Sequence, residues 1–326
     1  MKRDFKLLIG FLIAILLIAL LLSQVDIKDL ISVITTISLG PLLIAFIFYV
    51  NSYIFRSLRL RFLLKKQLSL GKLFTIVSVY NMTNSLMPMR TGEISFIYLL
   101  KKKGLRGTLA LAILMIAKVF DFIILSMLFL ISIYFITDVS ALLKNAFFVI
   151  AALLFLLILI LLSLIYFQDH FINFSKNLFR FLKLTRFKIA RYILEKEENL
   201  IKSFKVIKGV NNILKTFAFS VVIWLSQLMM AYTLLVSFGI RLDFWSIAAV
   251  IIFSAFAIIL PIQGVGGFGT LEGLWALALI SFGISKEAAI STGFALHLVI
   301  IMYYLILGII GVFFLNRSRN EENVAE

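Results

Sequence analysis

Long apolar runs alternate along this chain with short polar stretches that are mostly basic. A helix needs about 20 mainly apolar residues to cross a bilayer, and six runs meet or approach that length: 5–22, 41–55, 108–136, 146–167, 216–238 and 288–315. The second is short, which predicts a helix starting before Pro41 or continuing towards Arg59. Two further apolar stretches, 73–100 and 244–283, are interrupted in their middles by Pro, Gly and polar residues.

The basic residues orient these segments, because Lys and Arg collect in cytoplasmic loops. Lys2, Arg3 and Lys6 come first; Arg56, Arg59, Arg61, Lys65, Lys66 and Lys72 follow the second run; Lys101, Lys102, Lys103 and Arg106 follow the first interrupted stretch. The linker 169–215 is basic again, and Arg317 and Arg319 follow the last run. Connections around Lys28, Lys144, Arg241 and Lys286 carry little charge and are expected outside. For both sets to hold, 73–100 must enter and leave from the cytoplasm and 244–283 from outside. The expected fold is all-α and polytopic, with about six full spans plus two re-entrant helical hairpins in an inverted repeat. Two ordinary spans kinked at Pro and Gly are the simpler alternative. One transmembrane domain, 1–326, would hold a first half of about 1–140 and a second of about 146–315, joined through the basic cytoplasmic linker 169–215 and ending in a polar tail, 316–326. Both termini are then cytoplasmic, and the protein belongs in the cell membrane.

Composition sharpens this picture. Of 326 residues 62% are hydrophobic, with a mean hydropathy of +1.10, more than one water-soluble core could bury. Lys and Arg outnumber Asp and Glu by 32 to 16, which in a soluble protein would suggest nucleic acid. Lying between apolar runs, these cations instead set topology and attract anionic lipid. Expected partners are therefore membrane lipids with anionic or phosphate-bearing headgroups, no nucleic acid, and a homo-oligomer is left open. Cysteine is absent, which removes disulfides, thiolate metal sites and Cys nucleophiles together. No small-residue cleavage site follows 5–22, so it reads as an uncleaved span. In the linker, Phe171, Phe174, Leu178, Phe181 and Leu182 recur at helical spacing among cations. That suits either a helix on the inner membrane surface or a solvated connection.

Candidate chemistry concentrates at the interruptions. The first holds Asn81, Asn84, Pro88, Arg90, Gly92 and Glu93. Pro88 removes a backbone donor and should break the helix near Leu86; a break in hydrocarbon survives only inside protein or beside water. Arg90 and Glu93 can pair at the hairpin tip, or leave a cation facing a polar cavity. The second interruption holds Pro261, Gln263, Gly264, Gly266, Gly267, Gly269 and Glu272. Its formal G-x-G-x-x-G is not a dinucleotide site, since that needs a strand and a soluble βαβ unit. An unwound glycine backbone before a helix N-terminus can instead meet an anion, and Gly269 with Gly273 permits close helix packing. Lys118 and Asp121 share a face and are expected to pair with each other. Arg56 and Arg59 are expected to snorkel to headgroups, Gln227 to make a helix-packing bond, and His297 to be a neutral, hydrogen-bonded core residue. Hydrolase and metal signatures are absent, and the only histidines are His170 and His297; no cofactor and no enzymatic activity are expected.

Together these motifs resemble the transmembrane region of lysylphosphatidylglycerol synthases, the flippase-like half of the multiple peptide resistance factor. Arg56-x-x-Arg59-x-Arg61, then Asn81 and Pro88-Met-Arg90-Thr-Gly92-Glu93, look like the family's N…P-x-R-x-G-E. Lys118-Val-Phe-Asp121 is similar to its E-R-x-x-D, with Ala117 where Glu is usual and Lys118 replacing Arg. Pro261…Gly266-Gly267-Phe-Gly269-Thr-Leu-Glu272 is similar to P-x-x-x-G-G-x-G-x-x-E, with His297 near where an Arg often stands. The resemblance runs from about the first span to Leu315. It implies a transporter moving a phosphate-bearing lipid, of phospholipid, aminoacyl-phospholipid or polyprenyl-phosphate type, between leaflets. It does not imply lysyl transfer, because the soluble aminoacyltransferase domain of long members has no counterpart here. The expected lipid-binding set is Arg56, Arg59, Asn81, Asn84, Arg90, Glu93, Lys118, Asp121, Gln263, Gly264, Gly266, Gly267, Gly269, Glu272 and His297. Alternatives are an intramembrane enzyme on lipid-linked substrates or a non-transporting accessory of a lipid-modifying enzyme.

Overall fold

The computed structural model describes residues 37–87, 92–136, 141–182, 187–256 and 268–324. The apolar run 5–22, Pro88, Arg90, Pro261, Gln263, Gly264, Gly266 and Gly267 lie outside the described residues. The described residues form helices and no strand: α1 Leu39–Leu63, α2 Leu70–Leu86, α3 Glu93–Lys102, α4 Gly107–Phe135, α5 Ala141–Tyr166, α6 Gln168–Phe181, α7 Lys188–Ser203, α8 Val210–Ser237, α9 Phe244–Phe256, α10 Thr270–Ile280 and α11 Lys286–Val324. Helices α1, α4 and α8 and the stretch Lys286–Leu315 of α11 are long and apolar enough to cross a bilayer. Phe147–Ser163 of α5, with α6 bent 89° from it, is a fifth candidate. α1 extends the short run 41–55 in both directions. Each interrupted stretch becomes two short helices, α2 with α3 and α9 with α10.

The order of helices along the chain recurs in their packing. α1 lies along α8; α2 lies along α11 as α9 lies along α4; α2 packs on α1 as α9 packs on α8; α3 packs on α4 as α10 packs on α11. Backbone detail recurs at fixed separations. α1 ends with Lys65 at φ 50 and the Lys66 N–H on Arg61 O; 174 residues on, α8 ends with Gly239 at φ 86 and the Ile240 N–H on Leu235 O. Ser69 caps α2 by accepting from the Lys72 N–H, and Asp243, again 174 residues on, caps α9 by accepting from the Ser246 N–H. Past the breaks the separation is 179: Gly104 and Gly283 close α3 and α10 at φ 83 and 82, and α4 and α11 begin at Gly107 and Lys286. The step from 174 to 179 makes the second break five residues longer than the first.

Lipid offers helices no hydrophobic reason to associate, so close backbone approach and hydrogen bonds hold the bundle. Asn51 Nδ2 donates to Ser226 Oγ at 2.8 Å, and Gln227 Nε2 donates back to Ser52 Oγ at 2.7 Å, clamping α1 to α8 in both directions. This is the packing bond expected of Gln227. Glycine brings α11 against α2: a Cβ at Gly308 would overlap Met82, and one at Gly311 would lie 3.1 Å from Ser78 and Val79. The expected G-x-x-x-G packing at Gly269 and Gly273 is not found, because a Cβ at Gly273 meets nothing within 4 Å. Gly269 is required instead for its φ of 83 at the start of α10, a conformation that glycine adopts without steric cost.

The polar faces of α6 and α7 meet through Ser175 Oγ donating to Glu197 and through Lys176 on Glu198, which Lys202 of α7 itself also holds. α6 leaves Phe174 and Phe181 exposed, at 66% and 83%.

Candidate functional site

The site grows from the last turns of α1. Arg59 is 4% exposed. Its guanidinium fork grips Asp121, with Nη1 2.5 Å from Oδ1 and Nη2 3.3 Å from Oδ2, and Nη1 also donates to Ser220 Oγ of α8 at 2.7 Å. Arg56, one turn earlier, lies 3.8 Å from the same carboxylate and 5.9 Å from the centre of the Trp224 ring. Asp121 stands midway along the 29-residue α4, where an isolated charge costs about 2.5 to 3.5 kcal/mol on insertion scales. Two guanidinium groups offset that cost.

Two expectations are corrected here. Arg59 does not snorkel to headgroups; partners on α4 and α8 satisfy it inside the bundle. Lys118 and Asp121 do not pair with each other, since Asp121 is taken by α1 and Lys118 pairs with Glu93, the first residue of α3. That carboxylate also meets the positive end of its own helix. Glu93 is held in place by Gly92, which packs so tightly on the end of α2 that a Cβ would come within 2.6 Å of Thr83 and Asn84 backbone atoms. Asn84 therefore lies beneath the turn and does not line the cavity.

Arg56, Arg59, Lys118 and Asp121 line an open pocket with about 480 Å³ of space, the solvent at its mouth included, together with Tyr80 and Asn81 of α2, Phe96 of α3 and Ala117 of α4. Among the described residues three cations thus line it with one carboxylate, and Glu93 pairs with one of the three, Lys118. The Arg56 Nε is buried and lacks a hydrogen-bond partner among the described residues, a donor that a bound anion could use. Reasoning from sequence missed Ser220 and Trp224, which lie more than a hundred residues from their partners and carry no local signal.

Gly269, Glu272 and His297 meet on α10 and α11. Glu272 is fully buried; its Oε2 accepts the Gly269 N–H at 2.7 Å and its Oε1 lies 2.6 Å from His297 Nδ1. The Gly269 N–H expected to meet an external anion is therefore already occupied by the chain's own carboxylate. His297 is a hydrogen-bonded core residue as expected, with the Phe268 ring 4.7 Å from its own. Glu93 to Lys118 and Glu272 to His297 span the same 25 residues, 179 apart. That spacing stood in the sequence and was the overlooked signal of their equivalence. At the recurring separations the counterparts of Arg56, Arg59 and Asp121 are Met230, Thr233 and Ile300, so the full charge cluster occurs once. Among the described residues no group of three or more His, Asp or Glu side chains could hold a metal ion.

No curated protein matches the chain at a significant level. The model of the lysylphosphatidylglycerol synthase TM region matches residues 7–308, a stretch that contains the cavity, the Glu93–Lys118 and Glu272–His297 pairs and most of the membrane-length helices. This is a membrane protein with a lipid-related function, and the chain belongs to the lysylphosphatidylglycerol synthase TM region family.

Proposed function

We propose that the chain is a flippase-like transporter that moves a phosphate-bearing lipid between the leaflets of the cell membrane. The headgroup passes through the cavity among α1, α2, α3 and α4 while the tails remain in lipid. The carrying observation is the cavity's charge: among the described residues Arg56, Arg59 and Lys118 line its apolar walls with one carboxylate, Asp121, while Glu93 pairs with Lys118. Arg59 is committed to Asp121 and sets the geometry. Arg56 presents an unpartnered donor and stands ready for phosphate, which guanidinium recognises with strong charge-assisted bonds. Ala117, where the family's Glu would add a second acid, keeps the cavity cationic.

Re-entrant hairpins and an inverted repeat fit the same reading. The tight return of Gly92 onto Asn84 supports a chain that doubles back at the first break. Corresponding helix pairs and recurring caps support two like halves, and the distribution of Lys and Arg supports their opposite polarity. Both termini then lie in the cytoplasm, α6 rests its phenylalanines on the inner surface, and 1–326 acts as one transmembrane domain. Arg90 and the backbone of 263–267 complete the proposed path. The lipid leaves chemically unchanged.

The test is reconstitution in liposomes, following headgroup accessibility of labelled lipids. Wild type should outpace empty vesicles, and Arg56→Ala should slow transfer on the order of tenfold, the worth of one hydrogen bond to a charged group. Transfer no faster than empty vesicles across a broad panel of anionic and zwitterionic lipids sinks the proposal; lipid recovered with an altered mass points to an enzyme.

A further inference from the structure

The recurring separations provide an internal comparison for one seam of the bundle. Near the end of α4 Phe135 stacks on Trp245, the second residue of α9, with ring centres 4.6 Å apart and planes at 15°. The residue 179 after Phe135 is Phe314 on α11, and the residue 174 before Trp245 is Gly71 on α2. Where one seam is filled by an indole, the other has a glycine, and a Cβ on Gly71 would meet nothing within 4 Å. What remains is an open crevice between α2 and α11 with about 760 Å³ of space, the solvent at its mouth included, lined by Phe74, Ile76 and Phe314 and by Lys72 and Lys103. The two lysines are also particular to this seam, since their counterparts are the neutral Ser246 and Phe282.

The crevice is bounded along the helices. Further into α11, Gly308 and Gly311 draw α2 into contact, so the seam is closed there and opens only towards the end that carries the lysines. The chain has thus removed a large aromatic group and placed two cations beside the space it left. An apolar slot with a cationic rim fits a molecule that is anionic at one end and hydrocarbon at the other. A soluble anion would leave the phenylalanine walls unused. Among the described residues no carboxylate lines the crevice, and it shares no lining residue with the cavity among α1 to α4.

We propose that this crevice holds one anionic phospholipid of the surrounding bilayer, its phosphate on Lys72 and Lys103 and an acyl chain along Phe74, Ile76 and Phe314. The bound lipid takes the place that Trp245 fills in the opposite seam.

Native mass spectrometry of the detergent-purified full chain, titrated separately with phosphatidylglycerol and phosphatidylcholine of equal chain length, tests this. Wild type should retain one phosphatidylglycerol on the order of tenfold more tightly than phosphatidylcholine, because the choline cation offsets the shared phosphate's attraction to the two lysines and the glycerol headgroup does not. Gly71→Trp, which restores the residue used in the other seam, should remove that one lipid, and Lys72→Gln with Lys103→Gln should erase the preference between headgroups. Lys65→Gln with Lys66→Gln removes as much charge nearby and should change neither, and Arg56→Ala should leave the slot lipid in place. Equal retention of the two lipids by wild type, or unchanged retention by Gly71→Trp, overturns the proposal. Displacement of the lipid by inorganic phosphate alone also overturns it, in favour of a soluble anion. If Gly71→Trp does not fold, an unaltered headgroup preference in the lysine double variant overturns it alone.

Discussion

An alanine at Gly92 would bring its Cβ within 2.6 Å of the Thr83 and Asn84 backbone, and those atoms cannot yield without unwinding the end of α2. Gly92→Ala should therefore cost at least the about 1–3 kcal/mol typical of overpacking, read as a lowered melting temperature in detergent, while Gly71→Ala, into open space, should cost almost nothing. Asp121→Asn poses the opposite problem. It leaves the Arg59 guanidinium, 4% exposed, without its counter-ion, a loss of about 3–5 kcal/mol for a buried pair. Replacing both, as Arg59→Met with Asp121→Leu, should recover much of that stability in the same melting experiment; a double variant as unstable as Asp121→Asn would show that the pair does not carry the cost. Sequence reasoning picked out Arg59, Lys118 and Asp121 and gave them wrong partners. A spacing of three residues is visible in a sequence, whereas the approach of α1 to α4 that joins Arg59 to Asp121 across 62 positions is a product of packing.

At the scale of elements, the reciprocal amides of α1 and α8 should act as one clamp. Gln227→Ala should cost about 0.6 kcal/mol and at most about 1.7, the range measured for hydrogen bonds between membrane helices, and a double-mutant cycle with Ser52→Ala should return the coupling. The α6–α7 contact has a different sensitivity. Hydrogen bonds from Lys176, then Lys202, pull the Glu198 carboxyl from its ordinary 4.5 down to about 2. A depressed carboxyl pKa stabilises the folded form above the ordinary value, and that stabilisation drains away as pH falls from 4.5 through about 2. Protection from amide exchange across 168–203, corrected for the intrinsic pH dependence of the exchange rate, should fall over that window and also with added salt, because the pair is exposed to screening; Glu198→Gln should remove the pH dependence of that protection. The apolar runs located α4, α8 and α11 to within a turn or two, since hydropathy is summed over many residues. They had the second run continuing towards Arg59, as α1 does, but did not place its end at Leu63, because Arg56, Arg59 and Arg61 lower the hydropathy of those last turns. The breaks were legible because Pro and Gly act on the backbone locally.

For the whole molecule, the distribution of Lys and Arg suggested two halves of opposite polarity, but not their register. The separations of 174 and 179 residues emerged from matching caps and turns; in the sequence the shared spacing of Glu93–Lys118 and Glu272–His297 carries the second of them, while Arg56 has the unlike Met230 as its counterpart. The proposed topology can be tested without background labelling, since the chain has no cysteine. Lys66 and Lys102 flank the first pair of short helices, and Arg241 and Ser285 flank the second; all four are exposed. In a re-entrant arrangement, single cysteines at 66 and 102 react with an impermeant maleimide from one face of the membrane, and those at 241 and 285 from the other. The alternative of full crossings puts 66 and 102 on opposite faces, and likewise 241 and 285. A hairpin keeps the Gly92–Asn84 contact and the Lys118–Glu93 pair inside the bundle with both flanks on one side, so labelling of 66 and 102 from different faces would remove the hairpin on which the proposed path depends. Labelling of all four from a single face would leave two hairpins but abolish their inversion, and with it the approach of the Glu93–Lys118 and Glu272–His297 pairs from opposite leaflets.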